Sequence, residues 1–258
     1  MGAVIARLVR AEWTKLVTTR VWIGLLIGAC VIAGGFAALF TALAGVQQGD
    51  QPGLPPVGHP QYEELVFSVG ANASVLLLIL GIIGSTQEYR HRTATPTFLA
   101  EPRRGRVVAA KVLAYAVAAV PLALVVLVVD VLVVTVYAGA RGDAPSLNGD
   151  NLRTLASAGL VMVLFTVIGV GVGALLRNQV GAIVGSLVYL YVVEPIVSSI
   201  GALQGAYKWL PGGASQAIAM DFQAPDLLAP WQGALLLLGY GLLTAVLGTL
   251  LAVRRDVV

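Results

Sequence analysis

Apolar residues in this chain run in blocks too long for an ordinary globular core and long enough for a bilayer. A helix crossing the hydrocarbon layer needs roughly 20 mostly apolar residues. Six stretches reach that length, at about 21–44, 65–86, 107–137, 154–176, 180–200 and 231–253. With 58% hydrophobic and only 11% charged residues, and a mean hydropathy of +0.87, the chain lacks the charge to cover a water-facing surface. Backbone polar groups in hydrocarbon must be paired within their own segment, so the blocks read as helices. The expected fold class is an all-α membrane protein. Residues 1–258 would form a single domain with six transmembrane helices.

The charges fall between the blocks and on one side. An even number of spans returns both termini to the same face. On that face lie Arg7, Arg10, Lys15, Arg20, Arg90, Arg92, Arg103, Arg104, Arg106, Lys111, Arg177, Arg254 and Arg255; the other holds only Arg141, Arg153 and Lys208. Such an asymmetry marks the cytoplasmic side. The loop at 45–64 carries no Lys or Arg but has Asp50, Glu63 and Glu64. The net charge of +3 and pI near 9.2 therefore express topology and do not imply a nucleic-acid partner. Abundant Ala, Val, Gly and Arg fit a GC-rich bacterial genome, so a bacterial cell membrane with cytoplasmic termini is expected. Cys30 is the lone cysteine, so no intrachain disulfide can form. Glu12 and the length of the first apolar run argue against a cleaved secretory signal.

Before the first span, Ile5, Leu8, Val9, Trp13 and Leu16 recur at helical spacing, opposite Arg7, Arg10 and Thr14. Residues 1–20 thus predict an amphipathic interfacial helix, with Trp13, Lys15 and Arg20 at headgroup depth; a short basic tail is the plainer alternative. GxxxG pairs at Gly24/Gly28, Gly169/Gly173 and Gly181/Gly185 permit close helix approach but do not assign a dimer face. Ser68, Asn72 and Ser74 weaken the start of the second span and are expected to face other helices. Residues 201–230 read as a long outer loop, with Tyr207, Trp209 and Trp231 as interface aromatics.

No catalytic or metal-binding constellation is present in the sequence. His59 and His91 fall on opposite faces, there is no HExxH, and Glu63-Glu64 lacks the arginine of a membrane-protease motif. A phosphate loop and a nucleophile elbow are both missing. The chain is read as a non-enzyme that would need a separate protein to bind any ATP.

The most basic stretch is Gln87–Lys111, QEYRHRTATPTFLAEPRRGRVVAAK. Thr95 before Pro96 suits a helix start, and Glu101-Pro102 suits a stop, since the residue before proline avoids the helical region. A helix of one to two turns, Pro96 to Ala100, is expected across the cytoplasmic mouth, with Phe98 and Leu99 on one face. Its apolar face can dock in a partner's groove while the surrounding cations steer an acidic surface. Alternatively, the cations only mark topology or attract anionic lipid, at about 1 kcal/mol each.

This stretch resembles the loop between the second and third spans of type-2 ABC transporter permeases, at Glu88, Arg90, Thr93, Leu99, Pro102, Arg104 and Lys111. Ala11–Arg20 is similar to that family's interfacial helix, and Trp209–Ile218 to its outer segment before the last span. The resemblance implies a permease subunit that pairs with a second, identical or related, permease and exports a lipid, glycan, peptide or drug-like molecule. It also implies that ATP and magnesium are bound by a separate ATPase subunit, which docks through Glu88, Arg90, Pro96, Phe98, Leu99, Pro102, Arg103 and Arg104. One position departs from the pattern: Arg92 stands where many relatives have glycine, which would ease a left-handed turn.

Two acids interrupt the spans, Asp130 in the third and Glu194 in the fifth. Acids in a span are costly and are read as functional by default; hydrogen bonding to neighbouring helices is the structural alternative. Pro195 frees the carbonyl of Tyr191 and is expected to kink the fifth span. Beside Tyr189 and Tyr191, Glu194 and Pro195 would form a polar patch lining a pathway or gate. Two other classes of function stay open: a membrane sensor or assembly subunit that recruits a cytosolic protein without transport, and a proton-coupled carrier using Asp130 and Glu194. The absence of recognisable repeated halves counts against the carrier.

Overall fold

The computed structural model describes residues 2–46, 53–219 and 227–254; Asp50 and Arg255 lie outside the described residues. Helix α1 covers Gly2–Thr19 and α2 covers Val21–Leu43. The second apolar block is helical as α3 (Pro60–Ser68), a 3-10 turn (Val69–Ala73) and α4 (Ser74–Arg90). A short α5 (Ala94–Ala100) leads to the long α6 (Arg104–Ala140) and then α7 (Gly149–Leu176). The fifth block comprises α8 (Gln179–Val188), a π-helical turn (Tyr189–Val193) and α9 (Glu194–Ser199). A 3-10 turn (Gly201–Leu203), α10 (Gln204–Tyr207) and α11 (Pro211–Ala219) precede α12 (Pro230–Arg254). Six helical stretches are long and apolar enough to cross a membrane, and no strand occurs among the described residues.

Several helix boundaries differ from the apolar runs because caps, not hydropathy, set them. The second span starts at Pro60, where His59 Nδ1 accepts from the amide of Gln61 at 3.4 Å. The fourth starts at Gly149, where Asn148 Oδ1 accepts from the amide of Asn151 at 2.8 Å. The outer stretch after the fifth span is not a loop: α10 and α11 fold back, and α11 buries Ala214, Ala217 and Ile218 near α12. The short helix α5 also begins earlier than expected. Its N-cap is Thr93, and Thr95 and Pro96 lie inside the first turn. Proline is tolerated there because that amide has no helical partner to lose.

The core is the second span packed on the fourth. About 72% of the second span's most apolar window and 67% of the fourth's are buried, against 11% for the fifth span. Contact between α4 and α7 requires glycine: a Cβ on Gly81 would meet the Val170 amide nitrogen at 2.8 Å and the Thr166 carbonyl closer still. Gly169 likewise abuts the backbone of Leu78. Of the GxxxG pairs, Gly169/Gly173 makes this helix contact, whereas Gly24 and Gly185 face open space. The outward surface is aliphatic, with Val31, Val128, Val136 and Leu235 exposed, as lipid contact requires.

Side-chain contacts fix which helix ends meet. At one end, the Arg141 guanidinium donates to the carbonyls of Thr41, Ala42 and Ala44 at the C-terminus of α2. Tyr62 and Thr41 hydroxyls pair there at 2.8 Å, and the Asn151 amide donates to Glu63 at 2.5 Å. At the opposite end, Arg177 lies 5.9 Å from the Tyr89 ring and donates to the Gly248 carbonyl at 3.4 Å. That second end, hereafter the basic end, also holds the α1–α2 turn and α5.

Among the described residues, the non-glycine positions with positive φ are Arg20 (54°), Arg92 (56°) and Arg177 (53°). Each follows the C-terminus of a helix (α1, α4 and α7), and all three turns are at the basic end. A left-handed residue is the usual way to end a helix, and glycine is its usual occupant. Arginine accepts a steric cost there but places a cation at the negative end of the helix dipole, worth about 0.3–1 kcal/mol. The left-handed bend that Arg92 was expected to disfavour is therefore present, with arginine in it.

Candidate functional site

The basic end is organised by four charged side chains from three elements. Lys111, one turn or more into α6, is buried and donates to Glu12 Oε2 at 2.8 Å and to the Gly84 carbonyl at 3.2 Å; its Nζ is 3.3 Å from Glu88 Oε2. Lys15, half-exposed on α1, donates to Glu12 Oε1 at 2.6 Å and to Glu88 Oε1 at 2.5 Å. Two acids and two lysines thus alternate in a closed, electrically balanced ring that joins α1, the end of α4 and the start of α6. Burial alone would lower the Lys15 amine, but its hydrogen bonds and attraction to Glu12 and Glu88 outweigh that and hold it above its ordinary value. Thr97 of α5 donates to Glu88 Oε1 at 3.3 Å, which links the short helix to the ring. A cavity of about 350 Å³ lies between α1, α5 and α6, lined by Leu8, Glu12, Lys15, Thr97, Glu101 and Val107.

The residues expected to couple to an ATPase separate into two groups. Arg90, Pro96, Leu99, Pro102 and Arg103 are exposed, Leu99 at 78%, and form the outer surface. Glu88 is buried and acts from beneath that surface. Arg104 is partly buried and starts α6, while the Phe98 side chain lies outside the described residues. Of the interfacial-helix residues, Trp13 and Arg20 are exposed and Lys15 is in the ring. Sequence reading passed over Glu12 as a binding partner. Its signal was the i,i+3 spacing from Lys15, with Glu12 the one acid in α1.

The two acids within the spans are not together. Asp130 is fully buried on α6 against the 3-10 turn, so a Cβ on Gly70 would lie 3.2 Å from its Oδ2; neither carboxyl oxygen has a hydrogen-bond partner. Glu194, also buried, accepts from the Gly212 amide at 2.7 Å through Oε2, while Oε1 has no partner. Just before Pro195, where a kink was expected, the helix contains a π turn. The Glu194 amide reaches back to the Tyr189 carbonyl, five residues away, so the ladder widens before the missing proline donor. Glu194 and Pro195 line a polar cavity of about 330 Å³ with Asn72, Tyr191, Tyr207 and Ser215. Asp130 and this cavity therefore flank the same 3-10 turn. The phenol of Tyr207 is pushed above its ordinary value by burial and then by the Glu194 carboxylate, which keeps it protonated.

Among the described residues, no group of three or more His, Cys, Asp and Glu side chains is placed to hold a metal ion. Compared with known proteins, the chain matches no family model and shows no significant match to a curated sequence.

Proposed function

We propose that the chain is a permease subunit of an ATP-driven exporter of the type-2 ABC class, set in a bacterial cell membrane with its basic end in the cytoplasm. The observation that carries this reading is α5. It is a short helix at the basic end, with its Leu99 and the flanking Arg90, Arg92 and Arg103 exposed and Thr97 bonded to the Glu12–Lys15–Glu88–Lys111 ring. Such a helix can receive force from a docked protein and pass it to the first, second and third spans, because its brace is bonded to α1, α4 and α6. The partner is a separate ATPase that binds ATP and magnesium. The almost bare fifth span supports pairing with a second permease, since 11% of its apolar window is buried within one chain.

The test is co-purification with a candidate ATPase, chosen as a phosphate-loop protein encoded in a neighbouring reading frame. Arg103→Glu with Arg104→Glu should abolish the complex while leaving the permease folded. Recovery of the complex at unchanged yield, or failure of the permease to stimulate ATP hydrolysis in the intact pair, would refute the reading.

A further inference from the structure

The cavity beside Glu194 has a definite hydrogen-bonding character. Three of its serine hydroxyls spend their protons on the backbone: Ser68 on the Leu65 carbonyl at 2.7 Å, Ser198 on Pro195 at 2.9 Å and Ser215 on Gly212 at 2.7 Å. Asn72 likewise spends an amide hydrogen on the Val69 carbonyl at 2.9 Å. The three serines are left with oxygen lone pairs, while Asn72 keeps a second amide hydrogen and the Ser74, Tyr191 and Tyr207 hydroxyls can donate or accept. To them is added Glu194 Oε1, buried, without a partner, on a carboxyl group whose other oxygen is already fixed by Gly212. No Lys or Arg is among the described residues that line the space. Phe165 and Tyr191 supply aromatic walls, and about 330 Å³ is within the usual range for small-molecule sites.

We infer that this cavity binds an organic ammonium ion, its N–H groups donating to Glu194 Oε1 and to the Asn72 and serine oxygens, and its carbon skeleton lying against the aromatic walls. A buried carboxyl oxygen without a partner, facing a space that no Lys or Arg lines among the described residues, is satisfied by a positively charged donor and left unsatisfied by an anion or an apolar group. Aromatic faces favour the same sign of charge. The π turn contributes directly, because it turns the fifth span just before Glu194 and brings Leu190 and Tyr191 to the wall. The inference deepens the exporter reading by naming a ligand class, yet it needs no ATPase to be tested, so the two can fail separately.

The experiment is calorimetric titration of the full chain in phosphatidylcholine nanodiscs, with empty nanodiscs subtracted. The probes are 2-phenylethylammonium and its neutral analogue 2-phenylethanol. Saturable binding of the ammonium, at least about tenfold tighter than the alcohol, is expected from one charge-assisted hydrogen bond. Glu194→Gln keeps an acceptor for the Gly212 amide and should erase that preference; Asn72→Leu, which fills the space from the opposite wall, should weaken both probes. If the ammonium does not bind saturably, or binds no better than the alcohol, the inference is wrong. It is equally wrong if both variants bind the ammonium as tightly as the parent.

Discussion

Lys111→Met is the perturbation that most directly tests the ring at the basic end. In the folded chain the Lys111 ammonium is almost completely buried and compensates two acids that are equally buried, Glu12 and Glu88. Methionine keeps most of the volume of the side chain but leaves the ring with one lysine against two carboxylates. Breaking a buried ion pair by removing one partner costs about 3–5 kcal/mol, because the stranded charge stays desolvated. The exposed pairs of a protein surface contribute about 0–1 kcal/mol. The Arg106–Glu101 pair, at 3.4 Å and partly exposed, is the internal control.

For a chain of this size each kcal/mol moves the unfolding midpoint by about 2–4 °C, so Lys111→Met should lower it by roughly 6–20 °C and Arg106→Met by less than about 4 °C. The assay is thermal unfolding of the detergent-purified chain followed by tryptophan fluorescence. Charge balance makes a sharper demand: Glu88→Gln added to Lys111→Met removes the stranded acid, so the double variant should recover much of the loss. Non-additivity of that kind is what a shared network produces. If Lys111→Met and Arg106→Met are indistinguishable, or if the double variant is worse than the single by the full cost of each, the ring is not an electrostatic unit.

Other outcomes follow from the same contacts. Gly81→Ala places a methyl against the backbone of α7 and should destabilise by about 1–3 kcal/mol or abolish folding, whereas Gly24→Ala, with nothing within 4 Å, should not; thermal midpoints separate them. Arg92→Gly should raise stability by up to about 1 kcal/mol through relief of the left-handed backbone, and Arg92→Val should lower it by at least as much. Because the Lys15 amine is held above its ordinary 10.5, its contribution is complete below that value and is lost only as pH rises through the higher folded one. Lys15→Met should therefore cost stability equally at pH 6 and pH 9, and a cost that vanished by pH 9 would contradict the bonding to Glu12 and Glu88. In a Cys30→Ser background, Val193→Cys should form disulfide-linked dimers in membranes if the fifth span meets a second copy; monomers alone would move that contact elsewhere.

Much of the fold was legible because a bilayer imposes a coarse rule. Blocks of apolar residues reported the six helices, and Glu101-Pro102 reported the end of α5. Helix starts at Pro60 and Gly149 were missed because His59 and Asn148 cap them several residues before hydropathy rises. The outer helices α10 and α11 were missed because short segments rich in Gly, Ala and Pro have no periodic signal; they are helical because α11 packs near α12. The bend at Arg92 was misjudged from propensity alone. A left-handed cost of about a kcal/mol is small beside the packing and dipole terms that the whole end of the protein supplies.

The same limit explains why two acids that look alike in sequence differ in the structure. Hydropathy assigns Asp130 and Glu194 one meaning, a charge in a span, since it counts residues and not neighbours. What separates them is the space each carboxyl group meets. Asp130 is pressed against Gly70, with neither oxygen partnered, so its cheapest state is a neutral acid held by shape, and a ligand would have to displace the 3-10 turn to reach it. Glu194 has one oxygen fixed by the Gly212 amide and the other without a partner beside a cavity that no Lys or Arg lines among the described residues, so a ligand need only enter. Both acids contact or face the turn at Val69–Ala73, at the N-terminal end of the helix whose C-terminal end carries Glu88. Polar chemistry at the two ends is thus joined through one helical stretch, packed closely along α7 at Gly81, Gly169 and Gly173.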